Sequence, residues 1–171
     1  FDLSFTEPYF LDRDLSAGDD LFRVTRDQAE LTYDLKRTGA GLRLGYPVAK
    51  DMRQTLGYRF EKNDIEDVDP LASFFIRAQE GERSTSAISQ RLVYDTRDSI
   101  IDPTEGLVTR FETELAGLGG DARYLQNRLG ANYFYPIKDQ WILSFLGETG
   151  YVFGYGGEDV EINERFYLGG S

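Results

Sequence analysis

Glu112 and Glu114 form the residue pair best suited to chemistry, since they stand two positions apart beside Arg110. Alternate residues of a β-strand share a face and lie about 6–7 Å apart, which suits the two carboxylates of a glycoside hydrolase. The same residues also suit the wall of a water-filled lumen that carries charges of both signs. Nothing else in the sequence favours hydrolysis. We therefore interpret the pair as lumen wall and expect neither a catalytic residue nor an enzyme activity.

Two residue types that many reactive sites use are missing from the chain, which has no His and no Cys. The absence of His excludes His-based triads, dyads and proton shuttles, and it removes the commonest ligand of transition metals. The absence of Cys excludes disulfides and thiol chemistry. We expect no cofactor and no bound metal.

Two further patterns resemble ligand sites at first sight. Residues 64–69 include four carboxylates that could bind Ca²⁺, but their spacing does not match an EF-hand loop and favours a solvated loop. Gly39, Gly41 and Gly45 lack the spacing of a phosphate-binding loop, and no helical pattern follows them. We interpret these glycines as places where strands bend or approach each other closely.

The elements that must position these residues are strands joined by turns. Odd-numbered residues from 107 to 117 are mostly apolar, whereas even-numbered residues from 108 to 116 carry the charges. A period of two over this length predicts a β-strand with two unlike faces. Another alternating strand precedes it, and the turn between them contains the breakers Asp102, Pro103 and Gly106.

This unit repeats along the chain and predicts an all-β, antiparallel, up-and-down sheet. The alternating segments, about eight of them, cover residues 1–6, 15–25, 37–46, 52–62, 86–97, 107–117, 122–135 and 140–155. The connections around Pro8, Pro47, Pro103 and Pro136 are short, whereas the others, of which 63–85 is the longest, are acidic or rich in glycine. A meander puts alternate connections at opposite ends. Short turns at one end and longer loops at the other are typical of outer-membrane barrels.

In a transmembrane barrel the apolar residues of such strands face lipid. The residues predicted to do so are Phe111, Leu115, Leu129, Tyr133, Trp141, Leu143, Phe145, Tyr151 and Phe153. Ten positions separate Trp141 from Tyr151, which corresponds to about 25 Å along the axis of a tilted barrel, the height of an outer-membrane apolar band. Alternation alone does not determine which face points outward. A soluble β-barrel or sandwich with the apolar face inside remains the alternative.

Charge and hydropathy limit the classes of partner. The formal net charge is −11 and the basic residues are scattered, so we expect no nucleic-acid partner, because phosphates need clusters of Lys and Arg. No run approaches the roughly 18 apolar residues of a membrane helix. No signal peptide is visible, and residues 1–5 alternate as if in the middle of a strand, so we expect the chain to be a fragment.

Five segments then stand in an ordered series along the chain. They are FDLSFTEPYFLD (1–12), LGYPV (44–48), YDTRDSIIDPTEG (94–106), YFYPI (133–137) and RFYLGGS (165–171). In this order they resemble the barrel of the BamA-type outer-membrane protein assembly factors, within the bacterial surface antigen superfamily. The third segment is similar to the most recognisable turn of that superfamily. Its signature residues are Tyr94, Asp95, Arg97, Asp98, Asp102, Pro103 and Gly106.

The resemblance implies a piece of a sixteen-stranded outer-membrane barrel, with residues 1–171 as a partial barrel domain of about eight central strands. It also implies that this domain ends in the loop before a lumen-inserted motif. The residues that would approach the lumen are Phe166, Tyr167, Gly169 and Gly170. The first and last strands, which form the lateral seam of this family, and the periplasmic repeat domains are expected to lie outside this chain.

The function that the resemblance implies is non-enzymatic insertion and folding of nascent β-barrel proteins in the outer membrane of a Gram-negative bacterium. The partners would be outer-membrane lipids, nascent outer-membrane proteins and, through domains absent here, periplasmic accessory lipoproteins. One alternative is an export pore of the same superfamily, for two-partner secretion or autotransporter assembly. Others are a passive porin or small structural barrel, and a soluble β-domain that binds a small ligand.

Overall fold

The structure, a computed structural model, describes residues 1–26, 34–66, 81–138 and 141–157. These residues form an antiparallel sheet of eight strands in the order β1 to β8, which confirms the all-β, up-and-down prediction. The strands are β1 (Asp2–Glu7), β2 (Ser16–Arg26), β3 (Asp34–Ala49), β4 (Met52–Glu66), β5 (Gly81–Asp95), β6 (Gly106–Ala116), β7 (Tyr124–Lys138) and β8 (Trp141–Gly154). A 3-10 turn at Phe10–Asp12 lies between β1 and β2. None of the described segments is a helix with the length and hydropathy needed to cross a membrane.

The strands reach further than the alternation pattern predicts. The loop predicted for residues 63–85 is too long, because β4 continues to Glu66 and β5 begins at Gly81. Asn63 therefore stands opposite Arg83 in the pairing register. A ladder of backbone hydrogen bonds forms whatever the side chains are, so polar and charged residues can extend a strand.

Two prolines predicted to lie in turns belong to strands instead. Pro47 is in β3 and Pro136 is in β7, and each lies beside a shift in the pairing register. Proline has no N–H to donate to the ladder, so a strand accepts it at such an irregularity. The turn between β3 and β4 is thereby reduced to Lys50 and Asp51.

The connections alternate between the two ends of the sheet, as the meander requires. Those that precede β2, β4, β6 and β8 lie at the short-turn end, and those that precede β3, β5 and β7 lie at the loop end. At the short-turn end the N–H of Asp95 donates to the carbonyl of Asp51 at 2.8 Å. At the loop end the Asp121 carboxylate accepts hydrogen bonds from the N–H and the hydroxyl of Ser84, at 2.8 and 2.9 Å. At each end, a hydrogen bond thus joins a connection to an end of β5.

The register gives the sheet two unlike faces. One row across it is apolar in seven of eight strands and consists of Phe5, Asp19, Leu42, Tyr58, Ile88, Leu115, Leu125 and Phe153. We call the side that contains this row the apolar face. The opposite side, which we call the charged face, carries Arg37, Arg43, Arg59, Glu61, Glu112, Glu114 and Arg128.

The charged face is the concave one. Its most buried residues, each at most 1% exposed, are Glu61, Thr85, Ala87, Val108, Ala116 and Tyr124. No second layer of described residues covers this face, so its burial comes from the curl of the sheet itself. Within the described ranges β1 pairs with β2 alone and β8 with β7 alone. The strands therefore form an open, curled sheet, consistent with part of a larger barrel.

The buried apolar cluster is small for a sheet of this size. It consists of Ala87, Ala116, Ala122 and Tyr124, with Val152 packed against it. Large side chains of the apolar face stay exposed, for example Leu42 at 61% and Phe145 at 59%. A soluble domain of this length buries most such residues in a core. Among the described residues, the sheet therefore has no large apolar core.

Gly39 lets the side chain of Phe22 lie flat on the charged face. A Cβ atom at Gly39 would lie 2.6 Å from Cζ of Phe22 and 2.7 Å from the carbonyl oxygen of Phe60. The guanidinium carbon of Arg37 in turn lies 5.6 Å from the centre of the Phe22 ring, within range of a cation–π contact. Gly39 is thus a site of close approach, in agreement with the sequence interpretation.

Gly39→Ala is expected to lower the free energy of unfolding by about 1–3 kcal/mol, because it adds an atom where the space is filled. Gly41→Ala is the matched control, since it lies on the same face of the same strand and its Cβ would meet its nearest atoms at 3.6 Å. That control should change the stability by less than about 1 kcal/mol. Urea unfolding of the full-length protein in detergent measures both. Equal losses from the two variants would contradict the close packing at Gly39.

Candidate functional site

A network of ion pairs and hydrogen bonds joins β3, β4, β6 and β7 across the charged face. The Glu61 side chain is fully buried and lies between two guanidinium groups, with Oε2 at 2.5 Å from Nη2 of Arg37 and Oε1 at 2.6 Å from Nη1 of Arg59. Nη2 of Arg59 also lies 2.7 Å from Oε1 of Glu114. The same Glu114 oxygen accepts a hydrogen bond from the Tyr124 hydroxyl at 2.6 Å. The Arg59–Glu114 contact joins β4 to β6, which are not neighbours in the sheet.

Small residues on neighbouring strands make room for this network. Arg59 stands opposite Gly41 in β3 and Ala87 in β5, and Ala87 stands opposite Ala116 in β6. Because these neighbours have no long side chain, the guanidinium of Arg59 can pass over β5 and reach β6. Both oxygens of Glu61 receive charge-assisted hydrogen bonds, which offsets the loss of hydration on burial.

Sequence reasoning missed most of this network. It singled out Glu114 but not Arg37, Arg59, Glu61 or Tyr124. The signal that was available is the alternation of charged residues with Gly and Ala on adjacent strands. That signal becomes specific only when the register shows which charge stands beside which small residue.

Glu112 and Glu114 lie on the charged face, as predicted, and both carboxylates have cationic neighbours. Oε1 of Glu112 lies 2.6 Å from Nε of Arg91, and Glu114 belongs to the network above. A cleft of about 250 Å³ opens beside them, and Arg43 and Arg128 also line it. Charges of both signs around an open cleft support the lumen-wall interpretation. The absence of an enzyme activity stays a prediction.

The described part of the acidic stretch lies in a strand and not in the predicted loop. Asp64 and Glu66 belong to β4, because the ladders with its neighbouring strands continue past Asn63, whereas Asp67 and Asp69 lie outside the described residues. Within the described ranges no group of three or more acidic side chains is arranged to hold a metal ion.

Arg59→Ala is expected to lower the free energy of unfolding by about 2–4 kcal/mol, because Glu61 stays buried with one cation fewer. Arg91→Ala is the matched control. It removes a guanidinium from an ion pair whose side chains are 59% and 30% exposed, and it should cost less than about 1 kcal/mol. Chemical unfolding of the full-length protein in detergent compares the two. Similar losses would show that the buried network adds no stability beyond that of an exposed pair.

The signature turn joins β5 to β6 at the short-turn end. Tyr94 and Asp95 end β5, and the Asp95 carboxylate accepts hydrogen bonds from Nε and Nη2 of Arg97 at 2.8 and 2.5 Å. The N–H of Thr96 donates to the carbonyl of Leu107 at 2.9 Å and carries the ladder one step further. The turn therefore begins as an ordered extension of the two strands.

Asp98 organises the tip of this turn. Its Oδ2 accepts a hydrogen bond from the Thr104 hydroxyl at 2.5 Å. Its Oδ1 accepts from the N–H groups of Ser99, Thr104 and Glu105, at 3.0, 2.9 and 3.2 Å. The Thr104 hydroxyl first, and then the backbone N–H groups, stabilise the ionised form and lower the pKa of Asp98 to about 2.

Gly106 closes the turn and begins β6. Its φ is +112°, and a Cβ atom there would lie 2.5 Å from the carbonyl oxygen of Thr96 and 2.7 Å from Cα of Arg97. No side chain fits this position, so the turn requires glycine. Within the tip, the N–H of Asp102 donates to the Ser99 hydroxyl at 3.1 Å, and Pro103 follows directly. The structure thus brings the signature residues into one turn, and their position at a periplasmic rim stays a prediction.

The low pKa of Asp98 defines a pH window for the turn. The folded-state pKa of about 2 lies below the ordinary value of 3.8, so the stabilisation is present above about pH 4 and is lost as the pH falls through 2. NMR titration of the Asp98 carboxyl in the full-length protein is expected to give a midpoint near 2. Asp98→Asn should remove this part of the pH dependence of unfolding. A midpoint near 3.8 would contradict the hydrogen-bonded tip.

All nine residues predicted to face lipid lie on the apolar face. Leu115 is half-buried, and the other eight are exposed, from 38% at Phe111 to 76% at Trp141. No second layer of described residues packs on them, which argues against a sandwich with this face inside. Contact with lipid itself stays a prediction.

Several predictions concern parts of the chain or the protein beyond the described ranges. The lumen-loop approach consists of Phe166, Tyr167, Gly169 and Gly170, which lie outside the described residues. The end of the partial domain in a loop before the lumen, the sixteen-stranded total and the position of the periplasmic repeat domains also stay predictions.

With this geometry established, known proteins show several similarities. The Omp85 superfamily domain matches residues 1–171, the whole chain. The chain is 29% identical to the outer membrane protein assembly factor BamA of Neorickettsia risticii, covering 98% of this chain and 23% of that protein. It is 30% identical to BamA of Nitratidesulfovibrio vulgaris, covering 99% of this chain and 22% of that protein. The chain therefore spans less than a quarter of the length of these two relatives.

A eukaryotic relative and a solved structure extend the comparison. The chain is 26% identical to the sorting and assembly machinery component 50 homolog of Xenopus tropicalis, over 99% of this chain and 36% of that protein. The crystal structure of BamA from Haemophilus ducreyi lacking POTRA domains 1–3 superposes with a TM-score of 0.85 at 22% identity, over 99% of this chain and 36% of that one. At this identity the superposition establishes a shared fold.

Proposed function

The chain belongs to the Omp85 superfamily, and from that premise we propose that it is a central part of the barrel of an outer-membrane protein assembly factor. The observation that carries the proposal is the match of the whole chain, residues 1–171, to that superfamily. A curled antiparallel sheet with one apolar and one charged face supports it. The assembly role in the names of the BamA relatives supports it further.

The proposed location is the outer membrane of a Gram-negative bacterium, with the apolar face toward lipid and the charged face toward a wet lumen. The substrates are nascent outer-membrane β-barrel proteins, and periplasmic accessory lipoproteins act through other domains of the same protein. Two BamA relatives from Gram-negative bacteria support this location. The exposed aromatics Trp141 and Tyr151 suit the two edges of an apolar band.

In this proposal no cofactor or nucleotide drives insertion. A nascent barrel gains free energy by burying apolar surface in the bilayer and by closing its own ladder of backbone hydrogen bonds. The assembly factor lowers the barrier by perturbing nearby lipid and by offering strand edges for β-augmentation at its seam. This chain forms a part of the barrel away from the seam. The Arg37–Glu61–Arg59–Glu114 network and the Asp98 turn keep that part curved.

The full-length protein that contains this chain, reconstituted in liposomes, is expected to accelerate the folding of an added, unfolded outer-membrane barrel protein severalfold over empty liposomes. Heat-modifiable gel mobility and protease protection of the substrate measure the rate. A heat-inactivated preparation is the control for protein mass in the membrane. A rate equal to that of empty liposomes would overturn the proposal.

Depletion in cells separates assembly from the alternatives. An assembly factor is expected to lower the amounts of many outer-membrane barrel proteins together. An export pore would instead block one secreted partner and leave the barrel proteins unchanged. A passive porin would reduce the uptake of small solutes without either effect, so each outcome points to a different function.

A further inference from the structure

Asp19 is the one charged residue in the apolar row defined above. Its neighbours across the register are Phe5 in β1 and Leu42 in β3. The residue is exposed, and among the described side chains none forms an ion pair with it. A charge on the lipid-facing side of a barrel strand is costly unless something compensates it. In the bilayer orientation, the partner of this carboxylate must come from outside the described sheet.

Glu7 places a second carboxylate on the same face. It stands opposite Ala17, two residues before Asp19, so the two acidic residues are diagonal neighbours, about 7–8 Å apart at Cα. The side chain of Glu7 accepts a hydrogen bond from the N–H of Tyr9 at 3.3 Å, in the connection at the short-turn end. Glu7 therefore lies near the rim of the sheet, and Asp19 lies further from the rim on the same face.

A shallow apolar groove opens directly beside Asp19. Its volume is about 280 Å³, and its lining includes Leu21, Ala40, Leu42, Tyr58 and Phe60. The two leucines are 49% and 61% exposed, so the groove is open to the outside. A groove with apolar lining residues and the Asp19 carboxylate at one side fits a ligand that has a cationic headgroup and a hydrocarbon chain.

The depth of Asp19 matches the boundary between lipid headgroups and acyl chains. It lies three residues along β2 from Ser16, the first residue of that strand at the short-turn end. In a tilted barrel this is about 8 Å along the axis. The interfacial layer of a bilayer is about 5–8 Å thick on each side. A headgroup at that interface can reach the carboxylate while its chain runs along the groove.

We propose that Asp19, Glu7 and the adjacent groove bind a phospholipid with a primary ammonium headgroup, of which phosphatidylethanolamine is the common form. The ammonium donates charge-assisted hydrogen bonds to Asp19, and one acyl chain lies against Leu42 and Phe60. The bound lipid compensates the one charge in the apolar row. This inference rests on the outward orientation of the apolar face in the proposed function and does not depend on assembly activity.

The observations favour lipid over a polypeptide partner at this place. Leu3 and Phe5 stand opposite Leu21 and Asp19 of the groove and are 63% and 62% exposed. Apolar residues that are spread over a convex surface are buried by a broad apolar medium, and a bilayer is such a medium. A polypeptide would need a surface of complementary shape. The two carboxylates select among lipids, since they attract an ammonium and repel an anionic headgroup.

The test measures which lipids stay bound to the full-length protein after extraction from vesicles with equal amounts of phosphatidylethanolamine, phosphatidylcholine and phosphatidylglycerol. Native mass spectrometry is expected to find phosphatidylethanolamine enriched, because quaternary ammonium has no N–H to donate and phosphatidylglycerol is anionic. Asp19→Asn should lower that enrichment about tenfold, the loss of one charge-assisted hydrogen bond. Asp19→Glu, which keeps the carboxylate, should retain most of it.

Asp2→Asn is the matched control. It makes the same change of charge on the charged face of β1, where Asp2 stands opposite Phe22 and does not line the groove. Its lipid enrichment should equal that of the unmodified protein. Equal retention of the three lipids, or full enrichment in Asp19→Asn, would overturn the proposal. So would a photo-crosslinker at Leu42 that captures polypeptide in place of lipid.

Spin labels on β8 test the orientation on which the lipid site depends. The two sets of labelled positions are Leu143, Phe145 and Thr149 on the apolar face, and Ser144, Leu146 and Glu148 on the charged face. Lipid-soluble relaxation agents are expected to reach the first set and not the second. The reverse result would remove the basis for the lipid site. Failure of the folding assay alone, with labels and lipids as expected, would reject the assembly role and leave the lipid site intact.

Discussion

A sheet without a second layer must expose both of its faces, and this constraint governs the rest of the structure. Each strand satisfies its backbone groups through its neighbours, but its side chains meet whatever lies outside the sheet. Here one face presents residues such as Leu42 and Phe145, and the other presents Glu61 and its arginines. No single solvent suits both faces. Hydrocarbon on the convex side and water on the concave side suit them together, which is the arrangement of a membrane barrel.

Cross-strand ion pairs supply part of the stabilisation that an apolar core supplies in a soluble domain. Arg59 reaches Glu114 over β5, and Tyr124 reaches the same carboxylate from β7. These contacts favour the curled sheet over a flat one, because in a flat sheet such distant strands would hold their side chains further apart. Small residues such as Ala87 and Ala116 are as necessary as the charges, since they leave the space through which the guanidinium passes.

The errors in the sequence prediction share one physical cause. Alternation of side chains reports which face meets which medium, but the hydrogen-bond ladder extends wherever two backbones stay in register. Polar residues such as Asn63 therefore look like a loop and belong to a strand, and Pro47 looks like a turn and lies at a register shift inside one. The Asp98 turn was predictable because its geometry is local. Each hydrogen bond to the Asp98 carboxylate joins residues at most seven positions apart.

The sequence by itself determined that the chain forms alternating strands, that Phe111, Leu129 and Phe145 share a face, and that the segment from Tyr94 to Gly106 makes a particular turn. These properties depend on residues close in sequence or on a period of two. Only the tertiary structure decided that Glu61 lies buried between two arginines and that Asp19 stands between Phe5 and Leu42. Those facts depend on the register between strands. Register is a long-range property, and shifting it by one residue would exchange the two faces of a strand.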